Sequence, residues 1–159
     1  LAHAIRPCIG LTERQARATQ NFYEKMRDYY YKQHIKAGKT EHAASTLAHK
    51  SALNRQATYA ARMHRQRAAM IAETEMATAY SAAADEVVRQ NIDAGNAGAD
   101  SKKRWLTADD ERVCEECGGL EGQVVDLDAA FSNGKMLPPA HPRCRCAVAY
   151  ELTKPKAVE

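Results

Sequence analysis

Across residues 11–93 the chain has no proline and a single glycine, Gly38. These are the two residues that interrupt helices, and their scarcity beside abundant Ala, Gln, Glu, Arg and Met predicts long helices and excludes a turn-rich β region there. The chain also lacks any apolar run near the roughly 20 residues that a membrane helix needs, and no basic-then-apolar leader opens it. The visible part is therefore expected to be soluble, without a membrane segment or an export signal. A formal charge of only +3 falls short of a strongly basic nucleic-acid binder. Catalytic signatures are missing as well: there is no H-E-x-x-H, no phosphate-binding Gly loop and no G-x-S-x-G. Leu1 stands where a Met would begin a complete chain, and the polar "LTKPKAVE" ends it, so an excised piece of a longer protein is expected.

What is present divides into two parts with different patterning. The first helix is predicted to start at Thr12, because "TERQ" sets Gln15 three residues after a hydroxyl in the capping-box arrangement. Its apolar face runs Ala18, Phe22, Met26, Tyr29. Gly38 closes it and Thr40 caps a second helix reaching about Met63, with Leu47, Leu53, Ala57 and Ala60 directed inward. A break near His64 precedes a third helix carrying Ala68, Ala72, Met76, Tyr80, Ala83 and Val87, which "DAGNAGAD" ends. So much Ala suits close helix contact, and an extended helical arm of this kind leaves a long side surface for a partner.

After Asp100 the chain turns to short extended pieces: "RWLT", "GQVV", a turn at Asn133-Gly134, and "CAVAYEL". The fold class read from this is α+β. A mainly helical arm of two or three long helices (residues 1–98) precedes a small antiparallel β module (99–152) and a flexible tail (153–159). Three short strands cannot hold their shape unaided, so something must staple them.

Four of the five cysteines fall in this module, and Cys8 stands alone. Without an export signal, such clustering favours metal over disulfides. "VCEECGG" supplies Cys114 and Cys117 at knuckle spacing, with Gly118 placed to accept a left-handed turn. "PPAHPRCRC" supplies His141, Cys144 and Cys146. Two ligand groups separated by a loop are the layout of a structural Zn2+ site. Zinc takes four ligands and five are offered. Cys114, Cys117 and Cys144 are common to every arrangement; the fourth is His141 or Cys146, the latter slightly favoured because it shares a strand face with Cys144. The one left out is expected to orient the site. A ligand supply above four argues against an open catalytic position. Asp109, Asp110 and Glu111 read as a turn. In "RMHRQR", Arg62, Arg65 and Arg67 are candidate contacts to DNA phosphate, against the simpler reading of a solvated helix face.

"WLTADDERVCEECGGLEGQVV" followed by "PPAHPRCRC" resembles the C-terminal signature of the Mu F-like phage head morphogenesis proteins, also called minor head or minor capsid proteins. "RAAMIAETEMATAY" is similar to that family's helical segment, with Glu73 where Arg is usual, and "GLTERQARA" to its entry into the helices. The resemblance implies a low-copy structural protein of the virion, not an enzyme. Such a protein is assembled in the bacterial host cytoplasm and acts near the portal vertex. Its implied partners are portal and other head proteins, with packaged DNA as a further contact. The competing class is a zinc-module nuclease or other DNA-modifying enzyme.

Overall fold

The computed structural model describes residues 10–155. Cys8 and residues 156–159 of the expected tail lie outside them. Packing divides the chain into two units, Leu1–Ala69 and Met70–Glu159. This places residues 70–98, expected with the helical arm, in the unit that carries the sheet.

In the first unit, helix α1 spans Glu13–Lys36. Its start is the predicted capping box: the Thr12 hydroxyl accepts from the Gln15 amide at 3.2 Å, and the Gln15 side chain accepts from the Thr12 amide at 3.0 Å. Gly38, at φ +76°, turns the chain where a side chain would be strained. Helix α2 then runs Glu41–Asp93 without the break expected near His64. No proline or glycine occurs in that stretch to cause one.

The face of α2 packed in the first unit also differs from the expected one. Ala44, Ala48 and Ala52 are fully buried, whereas Leu47 and Leu53 are exposed. Residues four apart share one face, and methyl side chains let two helix backbones approach closely, so the small stripe wins over the large residues. Phe22 stacks on Tyr59 at 4.6 Å, the Gln56 amide donates to the Thr19 carbonyl, and the Tyr23 hydroxyl meets His49 Nδ1 at 2.7 Å. Helix α1 and the first part of α2 are thereby locked as a hairpin.

In the second unit, β1 (Lys102–Leu106) lies between β2 (Val124–Asp126) and β3 (Ala147–Glu151), antiparallel to both. The short helix α3 spans Glu115–Gly118. Trp105, Leu120 and Phe131 form the core, with Trp105 edge-on to Phe131 at 4.9 Å. The predicted Asn133-Gly134 turn closes beside it, with Gly134 at φ +77° donating to the Phe131 carbonyl.

Residues 70–93 of α2 belong here because polar clamps tie them to the sheet. Arg89 donates to Asp85 and Asp128, both at 2.8 Å, and the Tyr150 hydroxyl donates to Asp85. Ala72 and Val88 are buried, but Met76, Tyr80 and Val87, expected to face inward, are exposed. Lys103 is buried and its ammonium donates to the Leu127 carbonyl at 2.8 Å. Thr153, expected to open the flexible tail, is instead anchored: its carbonyl accepts from Gly98, its amide donates to Ser101 and its hydroxyl to Asp100.

Candidate metal centre

Cys114 caps α3, its sulfur accepting from the Cys117 amide at 3.5 Å. This is the expected knuckle, but built differently. Gly118 and Gly119 complete a right-handed turn, and the left-handed glycine comes later, at Gly122. The second ligand segment bends at Arg143, φ +61°, where the Cys144 amide reaches back to the His141 carbonyl. That bend turns His141 and Cys144 toward the knuckle.

His141 Nε2 lies 3.1 Å from the Cys114 sulfur and 3.3 Å from that of Cys117, and the Cys117 and Cys144 sulfurs are 3.8 Å apart. Cys114, Cys117 and His141 form one set of donor atoms that could hold a metal, and Cys117, Cys144 and Cys146 another. Cys117 is common to both. A cavity of about 40 Å3 opens between the two segments, room for an ion rather than a substrate. Two thiolates bound tetrahedrally at about 2.3 Å from one ion sit roughly 3.8 Å apart, so the Cys117–Cys144 separation fits a shared metal.

His141 Nδ1 faces the Pro142 carbonyl at 2.9 Å, which directs its N–H there and frees Nε2 for the sulfurs. That carbonyl, and then the Cys114 sulfur, raise the His141 pKa. The Cys114 thiol is pulled down by the Cys117 amide, whereas burial pushes Cys117 far up. Cys146 packs against the Trp105 cluster. Burial raises its pKa, and the neighbouring Trp105 indole offsets only part of that. Four thiols and an imidazole in this space cannot all give up their protons without a cation among them.

Two ion pairs hold the ligand segments. Arg145, between Cys144 and Cys146, grips Asp110 with both terminal guanidinium nitrogens, at 2.5 and 2.7 Å. The pairing holds the Asp110 carboxyl well below the usual carboxylate range, with help from the Arg112 amide. Arg143 pairs with Glu73 of α2 at 3.4 Å. Asp110 had read only as part of a turn, and Glu73 only as an odd residue in a helix.

A family model described as phage Mu protein F like protein matches residues 24–149, from within α1 to within β3. The chain belongs to the phage Mu protein F like family. Neither a curated protein nor a solved structure matches it. The stretch matched to the Mu F-like family contains both Cys/His segments, both clamping ion pairs, β1, β2 and the first half of β3.

Of the arginines singled out in this Mu F-like chain, Arg62 and Arg65 line one groove, together with Arg55, Phe22, Thr58 and Tyr59. Arg67 is not part of it: the side chain is half-buried and its Nε has no partner. Arg55 was not anticipated, although it lies two helical turns before Arg62 and so on the same face. No helix among the described residues is long and apolar enough to cross a membrane.

Proposed function

We propose that this chain is a structural minor head protein that acts in phage head morphogenesis, near the portal vertex, and whose C-terminal module is closed by one zinc ion. The observation that carries the reading is the family match over residues 24–149, which spans a donor cluster able to hold a metal. Cys114, Cys117, His141 and Cys144 would hold the ion. The approach of His141 Nε2 to two sulfurs supports His141 as the fourth ligand, and the packing of Cys146 against Trp105, Leu120 and Phe131 supports a core role for that thiol. Bound zinc supplies no reaction here; it cross-links two segments whose own core is small. Asp110 and Arg145 hold those segments in place beside the ligands.

The module is then a rigid cap for assembly, and the partners are portal and other head proteins, with packaged DNA as a further contact. Assembly takes place in the host cytoplasm and the product resides in the virion. The test is elemental analysis together with fractionation of heads. One zinc per chain and a few copies per purified head are expected. Chains without zinc and with the four thiols paired as disulfides would refute the metal centre; their absence from heads would refute the head role. Metal-dependent DNA cleavage lost in His141→Ala would establish the nuclease reading in its place.

A further inference from the structure

The modest net charge of +3 conceals a strong division between the two units. Leu1–Ala69 holds 13 Lys and Arg against 4 Asp and Glu, a formal +9, and Met70–Glu159 holds 10 against 16, a formal −6. From His42 to Ala72 there is no carboxylate side chain at all. Within the first unit, Arg17 and Arg27 are the described cations with a carboxylate in ion-pairing range. Arg55, Arg62 and Arg65 have none among the described residues.

These three arginines converge on one groove of about 240 Å3, and none of its six lining residues is acidic. Its apolar side is the Phe22–Tyr59 stack, and the Arg62 guanidinium sits over the Tyr59 ring at 5.0 Å. Arg55 is steadied by its Nε donating to the Tyr30 hydroxyl at 3.2 Å. Aromatic contacts thus hold two guanidinium groups while leaving donors unspent. Guanidinium donors suit phosphate oxygens in a two-pronged geometry. Residues 55 to 65 spread the charges over about 15 Å of helix, the footprint of a polymeric anion rather than of one small ligand.

We propose that the first unit binds the phosphodiester backbone of nucleic acid through Arg55, Arg62 and Arg65. Its identification as packaged DNA rests on the head-protein reading; the binding does not. A second copy of the chain, docking its acidic unit here, is the less favoured occupant. Many carboxylates of that unit are already engaged: Glu73, Asp85, Asp110, Asp126, Asp128 and Glu151 each pair with an Arg or Lys.

The test uses the full zinc-loaded chain and fluorescence anisotropy with labelled duplex DNA and duplex RNA across a salt series. Binding to either sustains the proposal, and the tighter of the two names the source. Replacing Arg55, Arg62 and Arg65 by Gln should flatten the slope of log K against log salt by about 2.7, at about 0.9 per phosphate contact. An equal loss of charge elsewhere in the unit, Lys32, Lys36 and Lys39 to Gln, should flatten it far less. No binding at low salt, or equal effects of the two triple variants, would overturn the proposal. So would concentration-dependent self-association in sedimentation that the groove variant abolishes while nucleic-acid binding survives. Zinc content and head incorporation are read separately, so a failure here leaves the head-protein reading standing, and the reverse.

Discussion

The helical hairpin of the first unit and the strand module of the second solve the same problem with different materials. The hairpin has helix-forming composition, a capping box and an alanine stripe, with the Phe22–Tyr59 stack and a few polar contacts added across its helices. The module has three short strands, a core of three large side chains and a set of clamps: Arg89 to Asp85 and Asp128, Arg145 to Asp110, and the clustered thiols and imidazole. Where local propensity is strong, packing can be thin. Where it is weak, cross-links between distant segments must take over.

Removing the proposed zinc is the sharpest way to break this comparison. Apparent binding free energies of about 10–16 kcal/mol are typical of small zinc modules, more than a core of this size supplies. Chelation, or Cys117→Ser, should therefore unfold the module. Trp105, the single Trp and fully buried, should shift its emission to the red while most of the far-ultraviolet helix signal persists. Loss of both signals in one transition would show that the two units stand or fall together.

A smaller effect should come from Gly98→Ala. A methyl group there would run into Thr153 Oγ1 and lie 2.6 Å from the Lys154 carbonyl oxygen, so the returning chain must shift. A loss of about 1–3 kcal/mol is expected, read in the Trp105 transition. The smallest belongs to the hairpin: Thr12→Ala removes one half of the capping box and should cost about 1 kcal/mol by helix melting, with Trp105 emission unmoved.

Features set by neighbouring residues were legible in the sequence. The Thr12 cap, the Gly38 stop, the Asn133-Gly134 turn, the three strands and the two Cys/His segments that the fold brings together all follow from spacing within a few residues. Features set by residues far apart were not. Alanine at 44, 48 and 52 looks like filler until a second helix lies against it. Leu47 and Leu53 have the apolarity that a periodicity argument rewards, but not the small size that this contact needs. The helix break read near His64 had no breaking residue behind it, and the structure carries α2 through. Asp110 with Arg145 and Glu73 with Arg143 are 35 and 70 residues apart, so neither pair has a local pattern. The charge division had been hidden by summing over the whole chain.

The buried Lys103 has a consequence for how β1 finds its partners. "KKRWL" contains three cations in a row, and alternate residues of a strand face opposite sides. As built, Lys103 and Trp105 point inward, Lys102 reaches Asp126, and Arg104 reaches Glu151. A slip of one residue would bury Lys102 and Arg104, strand Asp126 and Glu151 without their cations, and push the only indole into water. The inward amine meets a waiting carbonyl, that of Leu127, in the observed alignment. Three consecutive positive charges, which look like a poor choice for a central strand, thereby leave it a single way to lie.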